Sequence, residues 1–301
     1  MMGPFFRASV LPCISLLLCS LFLWAAPAAA ELTFSFEVSG KYEDNVTGVA
    51  RDNPNIGADT QHGGGQTIGG VHLKGGLDDI ISGGTGTGAQ AGKQGDFSTT
   101  LYADIGTHMD LAEKTTLLIL LSAEHTAYNK LSDLDFTIGT LSASIGHRFS
   151  EGFSGRLEAS AALRDVKLDG ADSMVYGLTA SLKERIGEAV WFRESATIEQ
   201  SKADNTINDY TGTDLSLRAG YDFSKRSTLS VGYSYLLRDF KNSPVGVQTN
   251  VQAASVDWSM DLSDRWSILA GYDHEWIKVK TDLASASAGN NVYSVGLRYD
   301  Y

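Results

Sequence analysis

Gly155-Arg156-Leu157-Glu158-Ala159-Ser160-Ala161-Ala162-Leu163-Arg164 alternates with a period of two. Gly155, Leu157, Ala159, Ala161 and Leu163 fall on one side of an extended chain, and Arg156, Glu158, Ser160, Ala162 and Arg164 fall on the other. Successive side chains of a strand point to opposite faces, so this pattern is that of a strand between an apolar and a polar medium. The same alternation recurs downstream. Tyr176, Leu178, Ala180 and Leu182 oppose Gly177, Thr179, Ser181 and Lys183; Glu184 breaks the apolar face near the end of that run. Leu215, Leu217, Ala219, Tyr221 and Phe223 oppose Asp214, Ser216, Arg218 and Asp222. Leu229, Val231, Tyr233 and Tyr235 oppose Ser230, Gly232, Ser234 and Arg238. The runs are about 10–14 residues long, enough to cross a bilayer at a tilt. Strands of water-soluble domains average about 5–6. The expected fold is all-β, an antiparallel transmembrane β-barrel.

About twelve such strands can be placed, near 32–45, 96–111, 115–128, 135–149, 153–166, 174–186, 189–201, 208–223, 227–240, 250–262, 266–279 and 290–301. Ten or fourteen are the alternatives. Very short connections such as Ala112-Glu113-Lys114, Ser150-Glu151-Gly152, Gly187-Glu188, Ser224-Lys225-Arg226 and Ser263-Asp264-Arg265 alternate with longer polar ones such as Lys202 to Tyr210 and Lys241 to Thr249. Short turns on one side and long loops on the other is the asymmetry of an outer-membrane barrel, with the short turns and both termini periplasmic. Tyr128, Phe136, Phe149, Phe153, Phe223, Phe240, Trp266, Trp276 and Tyr299 cluster near strand ends and are read as interfacial girdles. The stretch at about 46–95 is glycine-rich and shows little alternation. It reads as a long first extracellular loop, with a hidden hairpin around Thr67–Ile81 as the route to fourteen strands.

Residues 1–30 read as a signal peptide: Arg7 as the basic region, an apolar run from Val10 to Trp24, and small residues at Ala28 and Ala30 before a cleavage at Glu31. The barrel then spans 31–301. Cys13 and Cys19, the chain's two cysteines, both lie in that leader, so the mature barrel needs no disulfide and has no thiol nucleophile. A net charge of -12 argues against nucleic-acid binding, which wants a basic face. Beyond the leader no run of 18 or more apolar residues occurs, which excludes helical spans. A mean hydropathy of -0.11 suits a barrel, whose lipid-facing and lumen-facing residues average out.

The last residues, Ser294-Val295-Gly296-Leu297-Arg298-Tyr299-Asp300-Tyr301, resemble the C-terminal assembly signal of bacterial outer-membrane proteins, with Ser294, Gly296, Tyr299 and the terminal Tyr301 at its constrained positions. Tyr42-Glu43-Asp44-Asn45-Val46, leading into the first loop, is also similar to porin-type barrels. The resemblance implies that the last strand is recognised by the barrel-assembly machinery, and that the protein sits in outer-membrane lipid and lipopolysaccharide.

Face assignment yields a set of lumen charges. The basic candidates are Arg148, Arg156, Arg164, Lys183, Arg185, Arg193, Arg218 and Arg238; the acidic ones are Glu158, Asp214, Asp222, Asp257, Asp261, Asp273 and Glu275. Arg148 to Arg193 lean basic and Asp214 to Glu275 lean acidic, so two walls of opposite sign are expected, with a transverse field that selects ions or orients polar solutes. Within this set Arg148, Arg156, Arg164, Lys183, Arg185, Asp214, Asp257, Asp273 and Glu275 are the candidate selectivity residues. Catalysis needs a base within hydrogen-bond reach of its partner. In Asp273-His274-Glu275 the histidine has the opposite parity to both acids, and His125 has the opposite parity to Ser122 and Glu124. No catalytic role, metal or cofactor is expected; His62 and His72 are too far apart for a local site. The expected function is porin-like passive diffusion of small hydrophilic solutes or ions. A plugged structural or interaction barrel is the alternative, and an outer-membrane enzyme is third.

Overall fold

Period-two alternation commits each segment to a face, and pairing with its neighbours is what holds it there. The computed structural model describes residues 30–45, 50–51, 71–72, 95–167, 172–243, 246–282 and 285–301. The leader and most of the glycine-rich loop expected at 46–95 lie outside the described residues. The strands are β1 (Ala30–Glu43), β2 (Asp96–Ala112), β3 (Thr115–Tyr128), β4 (Phe136–Arg148), β5 (Phe153–Val166) and β6 (Ser173–Ile186). They continue with β7 (Val190–Ala203), β8 (Tyr210–Ser224), β9 (Ser227–Phe240), β10 (Val247–Asp261), β11 (Trp266–Lys280) and β12 (Ser285–Asp300). Each pairs antiparallel with its sequence neighbour, and β1 pairs with β12 to close the barrel at twelve strands. A two-residue pairing of Ala50–Arg51 with Val71–His72 stands apart from the barrel, so neither ten nor fourteen strands is realised.

The register holds each strand's faces constant from end to end. It shifts only between Asp110 and Ala112 and between Asp222 and Ser224, both beside short turns, so no strand inverts partway. The outward set, including Leu157, Leu182, Ile198, Leu217, Val231 and Val295, is exposed. That much bare apolar surface is what lipid contact requires. Phe149, Phe153, Phe223, Trp266, Trp276 and Tyr299 face outward near the strand ends; Trp266 and Tyr299 meet edge to face at 5.1 Å. Tyr128, Phe136 and Phe240 correct the girdle reading. Their parity turns them inward, and all three are buried.

Two strands run further than alternation suggests. β12 begins at Ser285 rather than near 290, and β10 at Val247 rather than near 250. Ser285–Gly289 pairs with Trp276–Lys280. Pairing is a backbone property and continues where small polar side chains leave no hydrophobic pattern.

The rim at the long-loop end is tied by a repeated device. Asp135, Asp172 and Asp209 each sit one residue before a returning strand. Their carboxylates accept from the backbone N–H near the end of the outgoing strand: Tyr128 at 2.7 Å, Val166 at 2.9 Å and Ala203 at 2.7 Å. Asp96 accepts from the N–H groups of Lys130 and Leu131, each at 2.9 Å. An ionised carboxylate is the strongest available partner for a backbone donor that has run out of ladder. β1 starts, and β12 ends, at the short-turn side, where Tyr301 and Phe34 exchange backbone hydrogen bonds of 2.8 and 3.1 Å.

Candidate functional site

The interior divides into two halves. Toward the long loops the inward side chains pack. Tyr128, Leu131, Leu134, Phe136, Ile138, Val166 and Val175 form one apolar cluster, and Leu236, Val251 and Ile277 another. Polar groups there are buried in partnerships. Arg238 Nε donates to Glu199 Oε1 at 2.7 Å, with both side chains under 5% exposed, and the Arg238 guanidinium lies 4.6 Å over the Tyr210 ring. The pair spans β8 at Gly212, where a Cβ would come within 2.6 Å of Glu199 Oε1. Asn290 Nδ2 donates to Glu275 Oε2 at 3.2 Å and to Glu43 Oε2 at 3.4 Å, and Tyr128 donates its hydroxyl proton to Glu43 Oε1 at 3.1 Å.

Toward the short turns the lumen holds a cavity of about 820 Å³. One wall is basic: Arg156 on β5, Lys183 and Arg185 on β6, and Arg218 on β8 line it. Trp191 of β7 lies flat over Gly220 of β8; a Cβ there would be 2.1 Å from the indole. That absent side chain is what admits the ring. Lys183 Nζ sits 5.4 Å from the centre of the indole and the Arg193 guanidinium 5.9 Å, both within cation–π range. Arg185 is ion-paired with Asp222, which also accepts from Trp191 Nε1 at 3.3 Å. Arg218 Nη1 reaches across β9 to lie 3.3 Å from Asp257 Oδ2. The diametric wall carries Glu37 and Lys41 on β1, Asp104 on β2, Glu124 on β3 and Arg298 on β12. Ser35 is hydrogen-bonded to Asp104, and Arg298 Nε to Asp300 at 2.9 Å.

All nine sequence-chosen selectivity residues have inward parity, but they do not form one site. Arg156, Lys183, Arg185 and Asp257 line the cavity. Arg164, Asp273 and Glu275 are buried in the packed half, with the Arg164 guanidinium 5.5 Å over the Phe136 ring. Arg148 is exposed at the short-turn end, and Asp214 is half-buried on β8. The two-wall expectation is corrected in its acidic half. Asp222 and Asp257 belong to the basic side as partners of Arg185 and Arg218, because each lies two strands from its arginine. The facing carboxylates are Glu37, Asp104 and Glu124. They lie outside the sequence-chosen set, yet the same alternation marks them: Thr33, Ser35, Glu37, Ser39 and Lys41 share one parity of β1. Of the terminal motif, Ser294 and Gly296 face inward against β1, and Tyr299 and Tyr301 lie at the short-turn rim. His274 faces outward, its Nδ1 2.7 Å from Asn291 Oδ1, and His125 faces outward against Thr137 at 2.9 Å.

No known family profile matches this sequence, and no curated protein does. Among solved structures, the chain is similar to an outer-membrane channel from Pseudomonas putida F1, at 11% identity and a TM-score of 0.55, covering 92% of this chain and 96% of that one. The KdgM porin in complex with disordered oligogalacturonate aligns at 13% identity over 67% of this chain and 94% of its own, with a TM-score of 0.43. An anion-selective porin from Comamonas acidovorans aligns at 9% identity over 91% and 99%, with a TM-score of 0.42. At 11% identity what the chain shares with the Pseudomonas putida channel is architecture, and by architecture the chain is a twelve-stranded β-barrel of the outer-membrane type.

Proposed function

We propose that the protein is an outer-membrane channel through which small hydrophilic solutes or ions diffuse passively. The carrying observation is the cavity: about 820 Å³ of charged lumen inside a barrel whose outer surface is apolar. Charged side chains of both signs line that space, and the field they set up orients a polar solute in transit. In this reading the short turns and both chain ends are periplasmic, the barrel sits in outer-membrane lipid and lipopolysaccharide, and Ser294, Gly296, Tyr299 and Tyr301 address the assembly machinery. The residues assigned no catalytic work, His274 and His125 among them, are interfacial. Twelve strands enclose a narrower bore than the sixteen to eighteen of general porins, so passage is selective.

A second reading has its own support. The inward side chains of the long-loop half are buried, which favours a barrel closed at that end that works through its loops. Conductance of refolded protein in a planar bilayer under a salt gradient separates the two. Stable current steps with a non-zero reversal potential support the channel. A silent bilayer with correctly folded protein defeats it in favour of the closed barrel.

A further inference from the structure

The outer surface of β10, β11 and β12 changes character at Trp276. Trp266 and Trp276 both face outward from β11 and are exposed. At about 3.3 Å per residue and a tilt of about 40°, the ten steps between them rise roughly 25 Å, the height of the apolar band on barrels of this kind. Trp276 meets His274 edge to face at 4.5 Å and marks the long-loop edge of that band. From there upward the register sets out a grid of outward side chains. Gln252, Trp276 and Gly289 form one row, Asn250, Lys278 and Ser287 the next, and Gln248, Lys280 and Ser285 the third. Lys278 and Lys280 are exposed, two residues apart on one face of one strand and hence about 7 Å from each other. Among the described residues neither makes an ion pair or a hydrogen bond. By contrast Lys167 and Lys202, also near long-loop strand ends, lie 3.3 and 3.6 Å from Asp135 and Asp209. Across the sheet, Asp239 is two strands from Lys280 with Gln248 between them, and Asp282, past the end of β11, lies against Gly246. The amides on one side of the lysines are held in place. Tyr233 donates its hydroxyl proton to Gln252 Oε1 at 2.8 Å, and Asn250 Nδ2 donates to the Tyr235 hydroxyl at 2.7 Å. On the other side Gly289, Ser287 and Ser285 leave a shelf with no large side chain.

We propose that this grid binds the phosphorylated sugar headgroup of an outer-leaflet glycolipid, the lipid A part of lipopolysaccharide. Such a headgroup sits at the depth where Trp276 ends the apolar band. The two ammonium groups are point charges for its phosphates, and basic clusters at this depth are what anionic headgroups select. The amides and serine hydroxyls hold both donors and acceptors for sugar hydroxyls. Lower on the same wall, the exposed Val256 and Val295 meet the acyl chains. The proposal goes beyond the channel reading and rests on one part of it, the orientation with the long loops outward, and not on conduction.

Native mass spectrometry of refolded protein in non-ionic micelles tests it with four probes: diphosphoryl lipid A, its dephosphorylated form, phosphatidylglycerol and inorganic phosphate. Diphosphoryl lipid A is expected to bind saturably and at least tenfold more tightly than each of the others. Lys278→Gln combined with Lys280→Gln should weaken that binding tenfold or more. Lys202→Gln, on the outer face of β7, should leave it unchanged. Equal binding of any one of the other three probes overturns the proposal, as does full affinity in the double variant. Folding is read from heat-modifiable gel mobility; should the double variant fail to fold, each single substitution takes its place. Labelling of Lys241→Cys on intact cells with a membrane-impermeant maleimide reads the orientation separately, and labelling is expected. Folded but unlabelled protein overturns the orientation and this proposal with it. Labelled protein with no preference for diphosphoryl lipid A overturns the proposal alone and leaves conductance to decide the channel.

Discussion

The two ends of the lumen are built from the same twelve strands and the same alternation, yet they hold charge in opposite ways. At the long-loop end inward charges are enclosed among partners: Arg238 by Glu199 and Tyr210, Glu43 and Glu275 by Asn290. At the short-turn end cations face a cavity and one another. The difference separates charge used for structure from charge held in reserve. A buried ion costs several kcal/mol to desolvate and must find its partner within the fold. A charge beside water can wait for a ligand.

The comparison breaks most severely at Arg238. Truncating one member of a buried pair strands the other, so Arg238→Ala should cost about 3–5 kcal/mol, read as a shift of the urea unfolding midpoint in lipid vesicles. Leu134→Ala should follow at about 2–5 kcal/mol, because Leu134 sits at 1% exposure in the apolar cluster. Gly220→Ala should cost about 1–3 kcal/mol, since the new methyl displaces Trp191. The smallest effect on stability sharpens the contrast instead. Arg156→Gln in the cavity should change unfolding by less than about 0.5 kcal/mol, yet move the reversal potential toward cation preference. Were Arg156→Gln to destabilise as much as Arg238→Ala, the two halves would not differ as described.

Some of this was legible in advance. Alternation alone gives the nine candidate charges one parity, and the register keeps that parity inward for each. For Tyr128, Phe136 and Phe240 nearness to a strand end points to the girdle and parity points to the lumen, and parity decides. The same rule turns Glu37, Asp104 and Glu124 inward. What the sequence could not reveal is height. Arg164 and Arg156 share a face of β5, and one is locked against Phe136 while the other borders the cavity. Parity is a local property, repeating every second residue along one chain, and any strand carries it alone. The period-two face, the strand length and the turn asymmetry were therefore in the sequence. Height in the lumen, the pairing of Arg218 with Asp257 across an intervening strand, and the meeting of Lys183, Arg193 and Arg218 in one row depend on register and on closure of β1 against β12. Those are relations between distant segments, and only the folded barrel sets them.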